Sequence, residues 1–362
     1  MSCVRACGAC LARSWLLERL ASHLEPVRAR IADVLDLEDR ALIDAVAGAH
    51  ADAVAKEFVA FDASAARAQA NAAGLELICR CDPGYPRRLL ALPQAPAVLH
   101  VAGGLDRFLR LAAADPVAVI GSRHGSTYGA EVARSLGRAL ASAGVTVLSG
   151  MALGIDSAAH AGALKSNGPT VAVLAAGAQR AYPPSKRALH AQIRSTGATV
   201  SELPGAAGVW RWMFPARNRL IAGLSAMTVV VEAREHSGAL VTAGFARSLG
   251  RPVGAVPGRV TAAAAEGSNA LLADGAYVVR GAQDVLDLLF GAGVRAAPSV
   301  TRPALAPELE ALLAAIADGH DTAGALERAG FPAEQGLAAL ASLELAGYIR
   351  REAGGRFGLT AA

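Results

Sequence analysis

Five segments of the 362-residue chain hold residues whose types and spacing suit the capture of an anion. The first, GSRHGSTYG (121–129), follows the apolar run VAVI and opens a helical stretch near Thr127. A strand-to-helix junction offers free backbone N–H groups and the positive end of the helix dipole, which together favour a phosphate. Gly121, Ser122 and Arg123 are its candidate contacts, with Arg123 as a bidentate charged donor. The loop is neither a Walker A motif nor a full G-x-G-x-x-G dinucleotide fingerprint. The second segment, SGMALGIDSAAH (149–160), is a similar turn, with Ser149 and Gly150 at the strand end. Ser149, Asp156 and His160 also permit a nucleophilic-triad reading. Asp156 and His160 lie four apart on one expected helix, however, where Asp156 suits an N-cap and His160 a packing position, and no G-x-S-x-G elbow accompanies them.

The third segment, AAGAQRAYPPSKRAL (175–189), sets Arg180, Lys186 and Arg187 beyond a strand end and offers Tyr182 as a face on which a base could stack. The fourth, FPARNRLIAGLS (214–225), follows Trp210 and Trp212 and places Arg217, Asn218 and Arg219 at the start of an expected helix. Cations are electrostatically unfavourable there, and a bound phosphate resolves the conflict. One of the two arginines is expected instead to pair with an acid such as Glu202 or Glu232. The fifth, EAREHSGALVTAG (232–244), ends a strand with Glu232 and starts a helix at Ser237-Gly238, as a further anion site or as loop support.

These loops require a scaffold. Between Pro116 and about Phe290, apolar runs such as PVAVIG, VTVLSG, TVAVLAAG and AMTVVVEA alternate with helical stretches. Strands apolar on nearly every residue, alternating with helices, belong to a parallel sheet covered on both faces. The expected fold class is therefore α/β, a Rossmann-like doubly wound, mostly parallel sheet, whose ligands bind beyond the carboxyl ends of the strands. Residues 1–75 have helical apolar spacing and read as a small helical domain. Residues 76–115, with prolines at 83, 86, 93 and 96, form a lead-in to a core running to 292. A Pro/Ala-rich linker over 293–306 precedes three helices and a hairpin over 307–362, the organisation of a winged-helix domain.

Composition narrows the function classes. With 53% hydrophobic and 18% charged residues, the chain is globular. No apolar run approaches the roughly 18 residues of a membrane span, and Arg5, Arg13 and Glu18 interrupt any signal-peptide core, so no membrane association and a cytoplasmic location are expected. Residues 76–302 hold 23 Lys+Arg against 13 Asp+Glu, whereas 1–75 hold 8 against 10 and 303–362 hold 4 against 8. Positive charge confined to the middle points to a polyanionic partner, because neutralised phosphates release counterions; an arginine-rich genome is the competing explanation. Of five cysteines, Cys3, Cys7 and Cys10 crowd the start and Cys79 and Cys81 lie far off, a poor disulfide framework. Cys7-Gly-Ala-Cys10 has zinc-knuckle spacing, with Cys3 or His23 available beside it, but no second C-x-x-C follows. No metal and no cofactor are expected.

Taken together, VIGSR (119–123), SGMALGIDSAAH, AYP (181–183), SELP (201–204), FPARNRLIAGLS, VVEAREHSGALVT (230–242) and GRPVGAVPG (250–258) give the chain a resemblance to the DprA/Smf family over residues 80 to about 290. The resemblance implies a Rossmann-like core, with an N-terminal helical (SAM-like) domain and a C-terminal winged helix in some relatives. It implies a protein without catalytic activity that binds single-stranded DNA in a basic pocket, protects incoming strands during natural transformation and loads the RecA recombinase, usually as a homodimer. Carried onto this chain, Gly121, Ser122 and Arg123 form a phosphate loop, Ser149 and Gly150 lie beside it, Arg217, Asn218 and Arg219 line the pocket, and Lys186 adds a basic group. The chain departs from the family at Ala175, Gly177 and Gln179, where a G-x-G and an acid are usual. The rival is an enzyme: nucleotide phosphoribohydrolases have a similar core, but their P-G-G-x-G-T loop has no counterpart in EAREHSGALVTAG.

Overall fold

The computed structural model describes residues 5–206, 208–297, 305–352 and 354–359. The chain folds into two compact units, 1–297 and 298–362.

In the larger unit the β-branched runs become strands and the Ala/Leu/Arg stretches between them become helices. Among the described residues one sheet has nine strands: β1 (Glu76–Cys79), β2 (Val98–Ala102), β3 (Val117–Ile120), β4 (Val147–Ser149), β5 (Thr170–Val173), β6 (Ala198–Ser201), β7 (Met227–Val230), β8 (Val253–Ala255) and β9 (Tyr277–Val278). Their order is β1-β2-β6-β5-β4-β3-β7-β8-β9. The seven strands from β6 to β9 are parallel, while β2 pairs antiparallel with β6 and β1 antiparallel with β2. Strand order reverses between β3 and β7, which lie side by side with Val117 opposite Met227 and Ile120 opposite Val230.

The helices of this unit are α1 (Gly8–Arg19), α2 (Ala21–Leu24), α3 (Ile31–Leu35), α4 (Asp39–Val46), α5 (Ala51–Val59) and α6 (Ala63–Ala72) ahead of the sheet, then α7 (Leu105–Ala113), α8 (Thr127–Ser142), α9 (Ile155–Lys165), α10 (Arg187–Thr196), α11 (Met213–Leu224), α12 (Gly238–Ser248), α13 (Glu266–Ala273) and α14 (Ala282–Phe290). Alternate strand residues feed two cores. Ala118, Ile120 and Val230 pack with Leu220 and Ile221 of α11 and Ala243 of α12, whereas Val117, Val119 and Val229 pack with Leu136 of α8, Ala159 of α9 and Val285 of α14. With both faces covered, the strands need no polar side, which is why they read as unbroken apolar runs.

The helices expected as a separate domain over 1–75 instead share a core with the sheet domain. Leu16, Leu20, Leu24 and Leu42 pack against Leu203, Trp212, Met213 and Ala216. Trp212 is 1% exposed, and its indole N–H donates to the Ala21 carbonyl at 2.8 Å. A buried tryptophan removes roughly 150–250 Å² from water, at most about 4–6 kcal/mol of driving force. Glu18 accepts from the Gly205 and Ala206 N–H groups at 2.7 and 2.6 Å, so the first helix also fixes the loop after β6. A second departure concerns the cysteines: Cys7, Cys10, Cys79 and Cys81 converge, while Cys3 lies outside the described residues and His23 lies elsewhere, edge-on to His50.

The smaller unit has α15 (Pro307–Ala317), α16 (Ala323–Arg328), α17 (Ala333–Leu345) and an antiparallel hairpin of β10 (Ile349–Arg351) and β11 (Phe357–Leu359). Leu312, Ile316, Leu326, Leu340, Leu343 and Phe357 form its core. No helix among the described residues is long and apolar enough to cross a membrane.

Candidate nucleic-acid interface

The carboxyl ends of β3, β4, β5 and β7 bring the anticipated loops together, but much of their hydrogen-bonding capacity is consumed internally. At the reversal of strand order, Glu232 follows β7 and turns its carboxylate onto the start of α8. It accepts from the Ser126 N–H at 2.8 Å and the Ser126 hydroxyl at 2.5 Å, and the Glu232 carbonyl accepts from the Ser122 N–H at 2.7 Å. A Cβ on Gly129 would collide with that carboxylate, so the helix can approach the acid only with glycine there. The helix end expected to hold a phosphate therefore already holds an anion.

The turn after β4 is likewise self-satisfied. Asp156 accepts from the Gly150 and Ala152 N–H groups at 3.2 and 3.4 Å. Burial raises its pKa, with Arg217 and the surrounding N–H groups opposing. The triad reading fails on geometry. Ser149 is fully buried with its hydroxyl donating to the Val119 carbonyl at 2.7 Å, and His160 Nδ1 lies 2.7 Å from the Thr170 hydroxyl. That hydroxyl itself donates to the Val147 carbonyl at 2.9 Å, so Nδ1 of a neutral His160 must carry the proton. Burial depresses His160 to about 3, and it is neutral at physiological pH.

What remains open is a cavity of about 140 Å³ lined by Arg123, Gly150, Arg180, Tyr182, Phe214 and Arg217 together with apolar residues. Arg123 is exposed, and its guanidinium sits over the Phe214 ring at 4.7 Å. Tyr182 is 43% exposed and tilts against the same ring at 5.8 Å. Arg217 crosses beneath, donating Nη1 to the Gly150 and Val173 carbonyls at 2.7 and 2.6 Å, with its buried Nε lacking a protein partner. Burial lowers its pKa to about 10, Asp156 opposing and Arg123 reinforcing the shift, so it stays cationic. Arg180 donates to the Gly205 carbonyl at 3.1 Å. A Cβ on Gly150 would overlap Arg217 Nη1, so glycine is what admits the guanidinium.

The structure thus gathers Arg123, Gly150 and Arg217 from the anticipated set around the cavity and places the others away from its wall, with Arg219 taking the expected pairing with an acid. Arg219 does not line the pocket: it is 1% exposed and donates Nη2 to both carboxylate oxygens of Glu202 at 2.7 and 2.6 Å. The reason is where the helix begins. α11 starts at Met213, with Pro215 tolerated in its first turn, so Arg217 and Arg219 lie in the second turn about 200° apart around the axis. Asn218 donates to the Gly238 carbonyl at 3.1 Å, tying α11 to α12. Gly121 and Ser122 form the turn but leave their donors to Asp156 and Glu232. Ser149 is interior, and Lys186 sits in the turn before α10 outside the cavity wall. Phe214 was not singled out by sequence reasoning, although its place beside the arginine run was a signal.

A doubly wound α/β core with an arginine- and aromatic-lined pocket at its strand ends defines the class. Within it, the chain belongs to the DNA recombination-mediator protein A family, which it matches over residues 76–290, and so to the DprA/Smf proteins. It is 38% identical over 280 residues to Protein Smf of Escherichia coli, covering 75% of this chain and 74% of that one. Against Protein Smf of Synechocystis it is 40% identical over 198 residues, 55% of this chain and 50% of that protein, so the match spans half the relative's length. Among solved structures, DNA processing protein A from Streptococcus pneumoniae superposes with a TM-score of 0.63 at 28% identity, covering 78% of this chain and 96% of that one. DNA processing protein A from Helicobacter pylori, solved to describe its single-stranded DNA binding mode, gives 0.51 at 28% identity over 56% of this chain and 92% of that one.

Proposed function

We propose that this chain is a non-enzymatic cytoplasmic binder of single-stranded DNA. In this reading it protects incoming strands during natural transformation and passes them, as a homodimer, to a RecA recombinase. The observation that carries this reading is the Arg123 guanidinium lying on the Phe214 ring without an ion-pair partner among the described residues, with Tyr182 alongside and Arg217 beneath. Cationic groups that track a backbone and aromatic faces that stack bases are the two elements of sequence-tolerant single-strand binding. The cavity is small against the roughly 300–1,000 Å³ of small-molecule sites, so it suits one base or phosphate of a longer strand. None of the residues lining it is a carboxylate or a serine, threonine or cysteine nucleophile, which weighs against the phosphoribohydrolase alternative. Arg123, Arg180 and Arg217 are the proposed DNA contacts, with Lys186 flanking them.

The three helices and hairpin of the C-terminal unit fit a winged helix. Its α17 has the sequence AEQGLAALASLEL, without a single Lys or Arg to meet a duplex backbone, so a protein contact is the proposed role. Fluorescence anisotropy with labelled single-stranded and duplex oligonucleotides of equal length tests the assignment. Salt-sensitive preference for the single strand is expected. Equal or absent binding, with hydrolysis of nucleotide monophosphates, would reverse it.

A further inference from the structure

Outside the pocket, the most chemically loaded cluster among the described residues is at the β1 edge of the sheet. Cys7 is the N-cap of α1 and Cys10 lies in its first turn, while Cys79 is the last residue of β1 and Cys81 follows two positions later. The four sulfur atoms all lie within 4.8 Å of one another, and Cys10 Sγ is 3.7 Å from Cys81 Sγ. Zinc–thiolate bonds of about 2.3 Å arranged tetrahedrally put neighbouring sulfurs about 3.8 Å apart. A disulfide needs roughly 2.05 Å. Cys10 and Cys79 are buried and Cys81 is exposed, leaving the cluster one open side for entry. The Cys7 N–H donates to Cys79 Sγ at 3.4 Å, and the free N–H groups at the start of α1 offset the negative charge that four thiolates around one divalent ion would carry.

We propose that Cys7, Cys10, Cys79 and Cys81 form a structural tetrathiolate zinc site. The second half of the ligand set is a C-x-C after a strand, 69 positions beyond Cys10, so chain proximity gives no hint of it. The four ligands close the site, leaving no open coordination position for catalysis. The Cys79 N–H donates to the Arg5 carbonyl at 2.8 Å, and Cys10 and Cys79 pack with Leu11 and Val98, so the metal clips the first helix to the edge of the sheet. In sheet order β1 stands four places from β4, roughly 19 Å away, which separates this role from the pocket. Closing so long a loop constrains the unfolded chain, and metal binding becomes folding stability.

The test is metal analysis of the full-length protein purified from zinc-supplemented culture without chelator. One zinc per chain is expected, released only when a mercurial titrates the thiols. Reconstitution with Co²⁺ should give thiolate-to-cobalt charge-transfer absorption and tetrahedral ligand-field bands. The exposed-position variant Cys81→Ser should lose the metal and melt roughly 5–10 °C lower, while single-stranded DNA affinity measured below that midpoint is retained. Metal-free protein with every thiol reactive, a Cys10–Cys81 disulfide, or bound iron in place of zinc would each overturn the assignment. The wild-type metal content and the cobalt spectrum decide the matter even where a cysteine variant fails to fold.

Discussion

Replacing Arg123 with alanine separates a phosphate-contacting pocket from a merely basic surface. Three arginines reach the cavity, Arg123, Arg180 and Arg217. If each neutralises one phosphate of a single strand, log Kobs should fall with log salt at a slope of about −2.1, a loss of roughly 20-fold between 50 and 200 mM. Arg123→Ala removes one such contact, so the slope should become about −1.4 and the loss over the same range roughly 7-fold. The Phe214 ring, freed of its guanidinium, remains a stacking face, so binding weakens without vanishing. The assay is anisotropy of a labelled poly-dT oligonucleotide in a salt series, with urea unfolding run in parallel. Arg123 is exposed, so the midpoint should not move. An unchanged salt slope with an unchanged fold would refute the pocket.

Arg219→Met should cost about 3–5 kcal/mol in urea unfolding by stranding the Glu202 carboxylate, and the double variant Arg219→Met/Glu202→Leu should recover much of it; a stable single variant that has lost only DNA affinity would restore Arg219 to the pocket. Gly150→Ala should displace Arg217, whose Nη1 occupies the space the added Cβ would need, and anisotropy should then show at least the loss produced by Arg217→Ala. Burial holds His100 at about 4 and His160 at about 3, against an ordinary value of 6.5. The unfolded chain therefore binds more protons than the folded one between those values. Stability is complete above pH 6.5 and falls on acidification, by about 2 kcal/mol for each imidazole at pH 5. Urea midpoints of wild type and His160→Gln at pH 7.5 and 5 check this: equal pH dependence in the two would remove His160 from the account.

The doubly wound core was legible because its signal is local. VAVI is apolar throughout and TVAV and MTVV carry one threonine each, and each ends at a turn that the structure places at the carboxyl edge of the sheet. The site was less legible because its details are tertiary. Arg217, Asn218 and Arg219 read as the start of a helix, whereas α11 begins at Met213 with Pro215 in its first turn; that shift moves Arg217 and Arg219 from one helix end to opposite sides of a helix interior. The glycines at 121 and 150 announced turns, but Glu232 and Asp156, which occupy the N–H groups of those turns, come from elsewhere in the chain or from the following helix. Trp212 read as an aromatic flanking an arginine run and proved to anchor the N-terminal helices, because only the folded chain sets it against Ala21. The cysteines followed the same logic, two pairs that become one cluster where the start of α1 meets the end of β1.

Glu232 at the head of α8 has a consequence for selectivity. In a doubly wound fold the reversal of strand order is where a mononucleotide would rest its phosphates, and here that berth carries a built-in negative tenant. A free nucleotide arriving at this edge meets a like charge and finds the Ser126 and Gly129 amides already engaged, and must rely chiefly on the neighbouring arginines. A polymer suffers no such handicap, since it can span several cationic groups at once and gains from each. If the chain binds single strands as proposed, it can operate amid the nucleotide pool without being competed off them, and Glu232→Gln is the change that would make it answerable to that pool.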